Sequence, residues 1–161
     1  MPIPGYVEFK DSEGNAIEGS VQVAGREGMC EVQEFDHNVR IPTDEAKGEL
    51  MGVRQHRPAT LVKPYDKATP LLFDALCNGE TLQEVVMHWY RIDPSGAEVE
   101  YFTHTLEEAK ISSIESFMPE TKNPQKEQFG HHERISILYS KITWLYPDGN
   151  IEYTDSWTAE R

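Results

Sequence analysis

The chain is poor in cysteine, poor in basic residues, and free of long apolar runs. Two cysteines among 161 residues, Cys30 and Cys77, cannot build a disulfide scaffold and read as reduced, partly buried thiols. Lys plus Arg number 15 against 28 Asp plus Glu, a formal charge of −13. With a pI near 4.8, such a chain repels polyanions, and no run of Lys or Arg offsets this, so nucleic acid and anionic membrane surfaces are excluded as partners. No apolar stretch approaches the roughly 20 residues a spanning helix needs. The opening Met1-Pro2-Ile3-Pro4-Gly5-Tyr6 lacks a charged n-region and an apolar h-region, so no secretory leader is expected. Also missing are Cys-x-x-Cys and His-x-x-x-His spacings, a glycine-rich phosphate loop and a Gly-x-Ser-x-Gly elbow. No cofactor, metal or activated nucleophile is expected.

What is present reads mostly as strands in one domain covering residues 1–161. Hydrophobic residues at 38% and aromatics at 10% suffice for a core. Tyr6–Phe9, Ser20–Ala24, Glu31–Ile41, Thr81–Ile92, Glu98–Glu107, Ala109–Met118, Glu133–Tyr146 and Ile151–Trp157 are expected strands. Asp93-Pro94-Ser95-Gly96 fits a type I turn with Pro second. Simple pairing across it puts Val85, Met87 and Trp89 on one face with Phe102, His104 and Leu106. Val86, His88, Tyr90 and Ile92 then share the other face with Val99, Tyr101 and Thr103, unless a bulge at Gly96 shifts the register. Both faces are apolar, so a core is expected on one side and a second cover on the other. One helix stands out over Thr69–Asn78. Thr69 suits the N-cap, Pro70 the first turn and Gly79 a left-handed C-terminal cap. Leu71, Leu72, Ala75 and Leu76 form an apolar stripe that Phe73 and Cys77 widen. Pro42–Gln55 is different in character. It is polar and rich in chain breakers, of hairpin-extension or long-loop type, and its length points to a functional or partner-contacting segment. The fold expected is mainly β, a single β-barrel of two packed sheets with one flanking α-helix.

Chemistry is sparse in this pattern. His131 and His132 are adjacent and point opposite ways in an extended chain, and His88 and His104 fall on opposite hairpin faces. With 28 acids, a close carboxylate pair carries no information about hydrolysis. The acids around His37 in Glu31-Val32-Gln33-Glu34-Phe35-Asp36-His37 are the one cluster with acid–base character. Trp89, Trp144, Trp157 and seven tyrosines leave a rival open: a monomeric β-barrel that binds carbohydrate or peptide on its aromatics.

An ordered set of short runs resembles a known family. Val32-Gln33-Glu34-Phe35-Asp36-His37, Ile41-Pro42-Thr43-Asp44 and Gly52-Val53-Arg54-Gln55-His56-Arg57-Pro58 recur in that order in Hcp, the haemolysin-coregulated protein of bacterial type VI secretion systems. So do Lys67-Ala68-Thr69-Pro70-Leu71-Leu72-Phe73-Asp74-Ala75-Leu76, Gly79-Glu80, His88-Trp89-Tyr90-Arg91, Ile142-Thr143-Trp144 and Asp155-Ser156-Trp157. The resemblance implies a phage tail-tube-like barrel without enzymatic activity. Its partners would be copies of itself, as hexameric rings stacking into a tube, with sheath and spike proteins and secreted effectors in the lumen. It would be made in the cytoplasm and exported by its own machine to the medium or a target cell. The family's long loop, which reaches neighbouring subunits, maps here onto Pro42–Gln55. The subunit-interface residues so implied are Asp36, His37, Ile41, Pro42, Thr43, Asp44, Gly52, Arg54, Gln55, His56 and Arg57.

Overall fold

The computed structural model describes residues 3–158. Among the described residues there are fourteen strands, one α-helix and a short 3-10 turn at Pro124–Lys126. The strands are β1 (Gly5–Lys10), β2 (Ala16–Ile17), β3 (Cys30–Val32), β4 (Glu34–Asp36), β5 (Val39–Arg40), β6 (Thr43–Asp44) and β7 (Glu49–Leu50). There follow β8 (Gln55–His56), β9 (Ala59–Pro64), helix α1 (Thr69–Cys77), β10 (Leu82–Ile92), β11 (Glu98–Phe117), β12 (His132–Leu138), β13 (Lys141–Tyr146) and β14 (Ile151–Ser156).

The 20-residue β11 organises the molecule. Its first half pairs with β10 and β13, its second half with β12. From β10 the ladder passes to β1 and then to β3; from β12 it passes to β9 and then to β4. Only Gln33 separates β3 from β4, and its N–H donates to Val62 O on β9 at 2.9 Å. The pairings thus return on themselves through the β3–β4 seam, which is how a barrel-like protein avoids long free edges.

Alternation fixes what faces inward. Val7, Phe9, Leu61, Leu82, Val85, Met87, Leu106, Ile135, Ile137 and Ile142 are at most 1% exposed and share one core. Helix α1 packs against β11 and sends Leu72 and Ala75 into that core. Its start differs slightly from expectation. Ala68, not Thr69, is the N-cap, because the Thr69 hydroxyl turns back to accept the Asp66 N–H at 3.1 Å. Gly79 does sit at φ +64°, with its N–H on Leu76 O, so the left-handed stop holds. Leu71 and Cys77 are exposed, so the apolar stripe is narrower than the sequence suggests; Cys30 is buried.

Five expected strands dissolve, break or fuse. Ser20–Ala24 is irregular. Glu31–Ile41 divides into β3, β4 and β5, because the chain must leave one sheet for the other. Ala109–Met118 is fused to Glu98–Glu107 in β11, the two joined through Glu108 at φ +50°. Glu133–Tyr146 runs in line along one edge of β11, but Tyr139 and Ser140 interrupt it between β12 and β13. The hairpin register holds for Val85↔Leu106, Met87↔His104 and Trp89↔Phe102. Beyond Trp89 it slips, at Tyr101 rather than Gly96, so Tyr90 faces Glu100 and Ile92 faces Glu98. Part of the second cover comes from within the chain. Arg26 stacks on Tyr90 at 3.8 Å and Tyr6 at 4.9 Å, and its guanidinium donates to Glu98 at 2.7 Å.

Candidate assembly interface

The segment between β4 and β9 folds as a projecting hairpin arm. At its base β5 pairs with β8, Val39 opposite His56 and Arg40 opposite Gln55. At its tip β6 pairs with β7, Thr43 opposite Leu50 and Asp44 opposite Glu49. Asp44 shapes the turn: its carboxylate accepts the Ala46 N–H at 3.0 Å and its carbonyl accepts the Gly48 N–H at 2.8 Å. Gly48 at φ +67° and Gly52 at φ +102° occupy backbone conformations that side chains resist. The arm carries Leu50, Met51 and Val53 at 64%, 57% and 56% exposure. Three large apolar side chains, nearly in sequence, stand in water on a segment that is otherwise polar.

The arm's base is tied to the barrel by a chain of charged and aromatic groups. Arg54 donates through Nε and Nη2 to the two Asp155 oxygens at 2.5 and 2.8 Å, a bidentate pair. These bonds, Arg54's first, hold the Asp155 carboxyl below its ordinary range. His56 Nε2 lies 2.7 Å from Asp155 Oδ2, and its Nδ1 lies 2.8 Å from the Tyr139 hydroxyl. The same hydroxyl lies 2.7 Å from His37 Nε2. Trp157 stacks on His56 at 5.7 Å and meets Tyr139 edge-on at 4.9 Å. Beyond His37 lie Trp144 and His104, and His104 Nδ1 accepts the Trp89 indole N–H at 2.8 Å. Burial, then the nearby His37, push His104 down to about 4. Burial, then His56, lower His37 as well.

The eleven residues the resemblance singles out therefore divide. Asp36, Thr43, Gly52, Gln55 and Arg57 are exposed. Ile41, Pro42 and Asp44 are half-buried within the arm. His37, Arg54 and His56 turn toward the barrel, and His56 is only 5% exposed. The sequence did not single out Tyr139, it offered Asp155 only within the family resemblance, and it offered Trp157 as a ligand-binding aromatic, not as a wall of this cluster. Nothing in spacing links positions 54–56 to 155. Leu50 and Met51 were not singled out in the sequence, although an apolar pair inside a polar stretch is the signal that could have found them.

A β-barrel of two packed sheets with one flanking helix and a projecting arm defines a tail-tube-like class of fold. A family model described as "Type VI secretion system effector, Hcp" matches residues 6–146. A Pseudomonas aeruginosa protein described as "Major exported protein" is 37% identical over 150 residues, spanning 93% of this chain and 84% of its own. The solved Hcp1 structure from E. coli EAEC 042 is 40% identical, with a TM-score of 0.87 over 96% of this chain and 99% of that one. The solved structure of Hcp3, a secreted protein of Pseudomonas aeruginosa, is 30% identical, with a TM-score of 0.78 over 97% of this chain and 99% of that one. The chain belongs to the Hcp family of type VI secretion proteins.

Proposed function

We propose that the chain is the tube subunit of a type VI system. Six copies close into a ring, rings stack into the inner tube, and the tube is ejected with effectors held in its lumen. The observation that carries this reading is the arm. Its base is pinned to β14, and its tip holds Leu50, Met51 and Val53 in water. Fully burying an apolar side chain of that size contributes roughly 1.5–3 kcal/mol. A second copy seated against the arm supplies that burial. Head-to-tail docking, with one patch on a different patch of the next copy, closes into a ring when the rotation permits. Sheath, spike and effector partners, and a cytoplasmic stage before export, follow from the same reading. The alternative of a monomeric carbohydrate- or peptide-binding barrel is weakened because Trp89, Trp144 and Trp157 are partly buried and packed against the core. Deletion of Gly48–Gly52 tests the proposal. Light scattering is expected to show loss of rings with the barrel still folded; intact rings would refute the arm's role.

A further inference from the structure

The bonds at the arm's base contain more histidine than a static brace needs, and they run in one direction. Tyr139 has a single hydroxyl proton, yet two imidazoles meet it, at 2.7 and 2.8 Å. Counting donors assigns the neutral arrangement. His56 Nε2–H donates to Asp155, so His56 Nδ1 is a lone pair and accepts the Tyr139 O–H. The Tyr139 oxygen in turn accepts from His37 Nε2–H. Arg54 secures Asp155 at the far end.

We propose that His37, Tyr139, His56 and Asp155 are positioning residues for the assembly arm, forming a latch that acid releases. The latch rests on the tube reading in that the arm it positions is the surface offered to the next copy. One added proton is tolerated. With His56 charged, its Nδ1–H donates to Tyr139, the hydroxyl donates to His37 Nε2, and His37 carries its hydrogen on Nδ1. A second proton is not tolerated. With both imidazoles charged, two donors face the hydroxyl oxygen and the hydroxyl proton has no acceptor among the described residues. Opening the arm wets both rings and relieves that conflict.

The groups facing the latch bias it toward this response. Asp155 on β14 and Arg54 on the arm balance one another. Asp36, at the end of β4, favours the charged form of His37, but burial and His56 outweigh it. His104 on β11 adds a third imidazole 6.3 Å from His37. Trp144 on β13 and Trp157 after β14 contribute apolar walls without charge. A neutral His37 is therefore favoured while the latch is closed. An imidazole set free by opening returns to its ordinary value near 6.5.

Amide hydrogen exchange of the full-length protein, corrected for intrinsic rates, reads the latch directly. The reporters are Arg57 N–H, bonded to Asn38 O at 3.0 Å, and the β5–β8 ladder. Uptake of one proton per opening raises arm exchange roughly tenfold between pH 6 and 5. His37→Gln keeps a donor that cannot charge, and is expected to flatten that profile. Tyr139→Phe removes the shared hydroxyl, and is expected to raise arm exchange already at pH 7.5. A flat wild-type profile, or a His37→Gln profile as steep as wild type, overturns the latch. Ring assembly followed by light scattering on the same samples separates the two proposals. Rings that persist while the arm opens count against the arm as interface and leave the latch standing. Rings that form at neutral pH with an arm indifferent to acid count against the latch alone.

Discussion

His104 shows at the scale of one residue how burial sets a pH limit on the fold. Its folded value of about 4 lies below the ordinary 6.5, so the unfolded chain binds its proton more readily. The stability this group allows is complete above about pH 6.5. It declines as pH falls toward 4, by on the order of 3 kcal/mol. Chemical denaturation at pH 7 and pH 4.5 checks this, with His104→Gln expected to flatten the decline. Equal declines in both proteins would contradict it. A second buried constellation stands at the start of α1. Lys63 and Glu133 are both 0% exposed, and the Lys63 ammonium donates to Glu133 at 2.5 Å and Asp66 at 2.9 Å. Lys63→Met leaves two inward carboxylates without their cation and is expected to cost about 3–5 kcal/mol. Adding Glu133→Leu is expected to recover most of that loss in a thermal melt. None of this was legible beforehand. Lys63 and Glu133 are 70 positions apart, and charged residues in strands ordinarily face solvent.

Single elements were legible where local chemistry decided them and illegible where the barrel did. The helix was readable because Pro70 and Gly79 mark its ends through backbone conformation alone. The hairpin was readable up to Trp89 because alternation over two long strands leaves one register that buries Val85, Met87 and Leu106. The break at Tyr139–Ser140 was not, since only the parting of the sheets between the two halves of β11 explains it. The arm was legible as an extension, but its apolar tip at Leu50-Met51 was passed over inside a stretch read as polar, and its anchor on β14 could not be read at all. Changing Leu50→Asp and Met51→Glu together alters side chains that are already in water. Barrel stability is therefore expected to move by less than about 0.5 kcal/mol per site, while ring formation is lost. A calorimetric scan beside sedimentation distinguishes these effects. A large fall in melting temperature would show that the tip packs on its own barrel instead.

Charge governs the whole molecule. In the proposed ring, six copies at −13 would carry −78 formally, so such rings would repel one another until salt screens them, over a length of about 8 Å at physiological ionic strength. Ring stacking is expected to grow as sodium chloride is raised, followed by light scattering, and equal stacking at low and high salt would contradict this. The wider claim is that the barrel is a finished fold with an unfinished surface, completed by its neighbours through the arm. Sedimentation velocity of the purified full-length chain tests it most directly. The account predicts a dominant species at six times 18.4 kDa, with ring-shaped particles in the same fraction by negative-stain microscopy. A single species at the mass of one chain, unchanged as concentration rises, would contradict it.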